Sequence, residues 1–245
     1  MPNGSYSRSQ LIEMCNKELT DKPSDLYKQS FITSCDTVKG ENGSERTEVI
    51  AEYICRRIDD LKRIQRLSRE NYKITSHLGK LTESNQEEKN LAKTLFNQCK
   101  LPDGIHRQPY DFIGAIIDYE TPLKTSNSDT GVGKIDLLSV SDDNSNVYLL
   151  ELKKKDSRES MLRCVLEAYT YSMQVDEKIL KSSFDIPENY TLKPTPLVSK
   201  NGEQWKEMQE LKAGNKPHLK KLMEELNIAG PFYYELVDGK YVITD

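Results

Sequence analysis

The chain has 245 residues, 36% of them hydrophobic and 30% charged, with a net charge of −4. That length supports one domain with an extension or two small domains. The composition suits a globular protein in water and argues against a membrane protein, because no apolar run nears the ~20 residues that cross a bilayer. A negative total exerts no general pull on nucleic acid, so phosphate binding would have to rest on a local cluster of Lys and Arg.

Met1-Pro-Asn-Gly-Ser-Tyr lacks the apolar core of a signal peptide, which leads to the expectation of a cytoplasmic protein. Five cysteines (Cys15, Cys35, Cys55, Cys99, Cys164) and three histidines (His77, His106, His218) are scattered, with no CxxC pair and no zinc spacing. Cys55 and Cys164 fall in apolar helical patterns and read as buried small hydrophobes, so reduced thiols are expected.

Ser9 to Leu19 predicts a helix, broken by Thr20-Asp-Lys-Pro-Ser, and Gly40-Glu-Asn-Gly43 marks a boundary. Ser44 is expected to cap a helix carrying Val49, Ile50, Tyr53, Ile54, Ile58 and Leu61 on one face. Glu48, Glu52, Arg56, Arg57 and Lys62 then form a solvated face. Residues 1–70 are read as an N-terminal helical extension, which packs on the core or mediates self-association as a homodimer. Residues 71–245 are read as an α/β domain. The next helix runs from Ser84 to Cys99 with Leu91, Ala92, Leu95 and Phe96 inward. Glu88 shares that stripe, and the helix dipole alone would favour an acid there.

Phe112 to Leu123 reads as the first strand of a sheet, with Asp118 and Glu120 on one face as surface or salt-bridge residues, a secondary metal role being the other reading. After the polar loop Lys124–Val132 come two further strands, Lys134–Val140 and Val147–Lys153, joined by the turn formers Ser141 to Asn146. Each is apolar enough to be central, and each carries one misplaced acid, Asp136 and Glu151. Alternation puts Glu151 and Lys153 on one face, and a hairpin can set Asp136 opposite Glu151. Carboxylates so placed repel unless a divalent cation sits between them. The plain alternative is a half-exposed hairpin with ordinary salt bridges.

Ser157 to Gln174 predicts an amphipathic helix with Leu162, Val165, Leu166, Tyr169 and Met173 buried. Lys153, Lys154, Lys155, Arg158 and Arg163 cluster around its start, where a helix N-terminus and cations suit phosphate. Tyr190–Ser199 reads as a strand whose prolines place it at an edge or make it short. Two helices follow, Glu203–Leu211 and Pro217–Leu226. The last element is a hairpin, Phe232 to Val237 and Tyr241 to Thr244, turned at Asp238-Gly239.

The pattern Asp136, fourteen residues, Glu151-Leu152-Lys153, then an amphipathic helix, resembles the PD-(D/E)XK (restriction-endonuclease-like) nuclease superfamily. The signature's proline is replaced by Ile135. The resemblance implies an αβββαβ core with a mixed central sheet flanked by helices, and a Mg²⁺- or Mn²⁺-dependent nuclease acting on nucleic acid, DNA foremost. It assigns Asp136, Glu151 and Glu88 to the metal and the catalysis, with a backbone carbonyl near Leu152 assisting. Lys153 would orient water or stabilise charge. Lys134, Lys154, Lys155, Arg158 and Arg163 would meet the nucleic acid. Polar residues of the following helix often lie near such sites, which makes Arg163, Glu167 and Tyr171 candidates. A catalytically inactive nucleic-acid-binding module and a protein-interaction scaffold are the other readings.

Overall fold

The computed structural model describes residues 6–41, 43–67, 69–74, 79–81, 86–103, 106–125 and 132–245. Ser84, His77 and much of the loop Lys124–Val132 lie outside those residues. The elements in order are α1 (Arg8–Asp21), two 3₁₀ helices (Pro23–Lys28 and Ser30–Ile32), α2 (Arg46–Arg56), α3 (Ile58–Leu61), α4 (Glu87–Gln98), β1 (Ala115–Pro122), β2 (Lys134–Ser141), β3 (Asn146–Lys153), α5 (Met161–Gln174), α6 (Glu177–Ser183), β4 (Thr191–Ser199), α7 (Glu203–Lys212), α8 (Pro217–Glu225), β5 (Phe232–Val237) and β6 (Lys240–Thr244).

The protein is α/β, built on a mixed six-stranded sheet in the order β1-β2-β3-β4-β5-β6. β3, β4 and β5 run parallel, and the other neighbours are antiparallel. α5 is part of the crossover that two parallel strands require. On one face of the sheet Leu138, Val147 and Leu149 join Leu162, Val165 and Leu166 of α5. The same buried cluster takes in Leu11 and Leu19 of α1 and Val49, Ile50 and Ile54 of α2, so the N-terminal helices share one core with α5. On the other face Leu137, Tyr148, Leu150 and Leu152 pack with Ala92, Leu95 and Phe96 of α4. α4 has no side-chain cap at its N-terminus. A missing cap costs about 1 kcal/mol, and burying Leu95 and Phe96 contributes roughly 1.5–3 kcal/mol each, which decides in favour of the helix.

Several elements differ from the sequence reading for identifiable reasons. Ser44 does not cap α2; the N-cap is Glu45, whose side chain makes no capping bond to the helix amides. Glu48 is not solvated, because its two oxygens accept the His218 and Leu219 amides at 2.9 and 2.8 Å and so cap α8. The helix expected to continue to Leu61 breaks at Arg57, whose φ of −123° is not helical. The thiols are free, as expected, and Cys164 is buried, but Cys55 is only half-buried. No described helix is long and apolar enough to cross a membrane.

β4 lies inside the sheet rather than at its edge. β5 pairs with it only over Leu197–Ser199. The Pro194 carbonyl accepts the Ala229 amide at 3.0 Å, from the loop that leads into β5. The nitrogens of Pro194 and Pro196 therefore face away from β3, to the side where no described strand pairs before Leu197. A missing N–H there removes no ladder bond.

Candidate active site

The β2–β3 ladder runs from Ser141 opposite Asn146 to Leu137 opposite Leu150. One step further places Asp136 across from Glu151, and on the other side Glu120 of β1 stands across from Asp136, between the pairs Tyr119–Leu137 and Thr121–Ile135. The alternation of β2 slips at this point. Ile135 belongs to the core on the α5 side and Leu137 to the core on the α4 side, although two residues apart on a regular strand share a face. The Leu152 amide, turned toward β2, donates to Asp136 Oδ2 at 2.9 Å instead of to a backbone carbonyl. The half-buried carboxylate thus opens the ladder where the two acids meet.

Lys153 and Glu151 are both almost fully buried. The Lys153 ammonium touches three carboxylates: Glu151 Oε1 at 2.7 Å, Glu159 Oε2 at 2.9 Å and Glu167 Oε2 at 3.2 Å. Arg163 binds the other oxygen of Glu159 at 3.0 Å. Tyr171 donates to Glu167 Oε1 at 2.9 Å. Glu151 Oε2 is buried without a hydrogen-bond partner among the described residues. Asp136, Glu151, Glu159 and Glu167 are thus four acids facing two cations.

The electrostatics follow from that excess. Burial pushes the Asp136 carboxyl up to about 7, against the pull of Lys153 and the Leu152 amide. Glu151 is raised well above the usual carboxylate range by burial, then by Asp136 and Glu167. Glu167 is equally buried, yet the Lys153 ammonium and the Tyr171 hydroxyl hold it below its ordinary value. Burial opposes the charge on Lys153, but Glu151 and Glu167 more than compensate and hold its ammonium well above the ordinary lysine range.

Glu88, on the first turn of α4, accepts the Lys154 amide at 3.2 Å, which ties the helix to the end of β3. An open cavity of about 470 Å³ is lined by Glu88, Glu120, Lys134, Asp136 and Lys154. Glu120 is held below its ordinary pKa by Lys89 and Lys134, which overcome the effect of burial. Those lysines lie 2.8 and 3.3 Å from it. The ligand atoms of Glu88, Asp136 and Glu151 do not all fall within 4.8 Å of one another; among the described residues the group of three that does is Cys35, Glu45 and Glu207. That group already holds a cation, since the buried Lys216 ammonium binds Glu45 and lies 3.6 Å from Glu207 and 3.4 Å from Glu210. Around Glu151 the ladder offers two facing carboxylates, Glu151 and Asp136.

The basic residues divide. Lys134 is paired with Glu120, Lys154 with Glu87 and Arg163 with Glu159. Lys155 and Arg158 have no ion pair among the described residues. They line a second open cavity of about 800 Å³ with Ser157, Asn201 and Lys206. α5 begins at Met161 rather than Ser157, capped by Ser160, whose Oγ accepts the Arg163 amide. The Met161 amide donates to Glu207 at 2.8 Å, so the chain's own groups take up these amides at the N-terminus of α5. Of the residues now seen around Lys153, Glu167 and Tyr171 carried a signal on the helix face. Glu159 did not, since only the fold brings it there. No protein-family model, no curated protein and no solved structure matches the chain.

Proposed function

We propose that the chain is a divalent-metal-dependent nuclease of the restriction-endonuclease-like kind, hydrolysing phosphodiester bonds in nucleic acid, DNA foremost. The order α4-β1-β2-β3-α5-β4 agrees with the αβββαβ core that the motif implies. One observation carries the reading: a buried cluster with two more acids than cations, in which Glu151 Oε2 has no hydrogen-bond partner among the described residues. An oxygen left so in a protein interior costs about 1–3 kcal/mol, more when charged, and a cation would satisfy it.

The donor set fits a hard divalent ion, being all oxygen. Asp136 and Glu151 would hold Mg²⁺ or Mn²⁺, Glu88 would reach it through water, and the carbonyl at Leu152 is a further oxygen nearby. When bound, such an ion lowers the pKa of a coordinated water and neutralises charge on a phosphate. Lys153, kept protonated by its carboxylates, would donate to the attacking water or to a phosphate oxygen. Lys155 and Arg158, without an ion pair among the described residues, would hold the backbone of the strand.

Incubation of plasmid, linear duplex, single-stranded DNA and RNA with Mg²⁺ or Mn²⁺, beside EDTA, tests this. Cleavage that needs the metal and disappears in Asp136→Asn is the expected result. Equal cleavage by wild type and variant, or none at all, overturns it. A second reading is supported by the three carboxylates around Lys153 and by the pairing of Lys134, Lys154 and Arg163. These contacts suit a catalytically inactive binding module or a scaffold, and absent cleavage with retained nucleic-acid binding would favour the module.

A further inference from the structure

The buried polar network does not end at Glu167. Tyr171 has one hydroxyl proton, and it goes to Glu167 Oε1. The Tyr171 oxygen must therefore accept in its contact with Tyr27 Oη, 3.3 Å away, which makes Tyr27 the donor. The two rings meet edge to face, with centroids 5.8 Å apart. Tyr27 is 4% exposed and Tyr171 6%, so water does not substitute for either hydroxyl. The result is a directional chain: Tyr27 donates to Tyr171, Tyr171 to Glu167, and Lys153 to Glu167 from the other side. Such chains polarise each member in turn.

Tyr27 lies far from the motif in sequence, on the first 3₁₀ helix. Its position is nevertheless set at two points along α5. Further along the same strap, Thr33 O accepts the Ser160 amide at 2.8 Å and Ile32 O accepts the Ser160 hydroxyl at 2.5 Å. Ser160 and Tyr171 are separated by about 16 Å of helix, so the strap is fixed at the cap of α5 and again three turns on. The Tyr171 hydroxyl also packs against the start of β2: a Cβ added to Gly133 would lie 2.1 Å from it. The network therefore borders both the strand that carries Asp136 and the lysine beside Glu151.

We propose that Tyr27 is a positioning residue for this site, holding Glu167 against the Lys153 ammonium through Tyr171. The inference rests on the nuclease reading only for its kinetic consequence; the geometry it assigns to Lys153 does not depend on it. With Glu167 fixed, the Lys153 ammonium stays shared among three carboxylates rather than shifting toward Glu151 and Glu159. Loss of the Tyr27 hydroxyl leaves the ring packing intact and frees the Tyr171 O–H to turn about its C–O bond, away from Glu167.

Tyr27→Phe is the test, with Tyr53→Phe as control, because the Tyr53 hydroxyl bonds Asn16 at the surface of the same N-terminal region. The first measurement is the Lys153 ammonium resonance in ¹⁵N-lysine-labelled protein, followed through a pH titration. Tyr27→Phe is expected to broaden or shift it, and Tyr53→Phe to leave it in place. The second is metal-dependent cleavage, where Tyr27→Phe lowers kcat about five-fold, the equivalent of one hydrogen bond, with KM unchanged and the pH profile displaced. Unchanged resonance and unchanged pH profile in Tyr27→Phe overturn the proposal. If the wild type cleaves nothing, the nuclease reading falls, and the resonance alone still decides the role of Tyr27. Should Tyr27→Phe fold poorly, Tyr171→Phe must produce the same displacement of Lys153, or the chain of bonds is refuted.

Discussion

Replacing Lys153 with Met removes the cation that three carboxylates share while keeping the length and much of the packing of its stem. Its side chain is 6% exposed, so water cannot replace the lost charge. Breaking a buried ion pair by deleting one partner costs about 3–5 kcal/mol. Each kcal/mol lowers the melting temperature of a protein of this size by roughly 2–4 °C, so Lys153→Met should melt about 10 °C below wild type at neutral pH in EDTA. Two contrasts make the prediction specific. The deficit should shrink as the pH falls from 7 to 5, because Asp136 and Glu151, whose carboxyls are already raised, take up protons and relieve the repulsion. It should shrink again on adding Mg²⁺ at pH 7, which supplies the missing positive charge. Thermal denaturation of both proteins over that pH range, with and without Mg²⁺, measures all three. A variant within about 2 °C of wild type at pH 7 would falsify the claim that the cluster depends on this ammonium.

Three further outcomes follow from the raised carboxyls and from the cap of α8. Mg²⁺ affinity, read by calorimetry, should rise with pH through about 7, because the raised Asp136 and Glu151 carboxyls must lose their protons before a cation can bind. In the metal-free protein the raised Asp136 carboxyl makes stability fall as pH rises from about 4, the unfolded value, to about 7; a flat affinity profile would contradict the assignment of Asp136. Glu48→Ala should cost about 1 kcal/mol in chemical denaturation, since it removes the cap of α8, and should leave any stabilisation by Mg²⁺ untouched.

The β2–β3 hairpin was legible because alternating apolar residues flank a run of turn formers, and the motif acids stood out as interruptions of those runs. The hairpin at Asp238-Gly239 was legible for a similar local reason: both residues adopt positive φ, 49° and 78°, as the tight turn between β5 and β6 requires. What stayed hidden depends on partners distant in the chain. Glu48 looked solvated because the amides it caps lie 170 residues away. Glu159 sat in a run of serines and charges with nothing to indicate that Lys153 would reach it. The prolines of β4 announced missing donors, but the sequence does not say on which side of the strand they are missing. Ser157 and Ser160 both suit a helix cap, and the choice of Ser160 follows from the strap that binds it.

Those prolines also determine where β5 can lie. A parallel strand sliding along β4 toward Thr191 would need N–H donors from Pro196 and Pro194, and neither has one. Pairing can begin only at Leu197, so the chain cannot slip by two residues and still satisfy its ladder. The hairpin of β5 and β6 is thereby indexed against the strand beside Glu151 and Lys153. Tyr234, whose hydroxyl donates to the Lys153 carbonyl at 3.0 Å, arrives opposite the end of β3 in one alignment alone. Two residues that weaken a strand by every local measure act here as a stop, fixing the far half of the sheet relative to the acids.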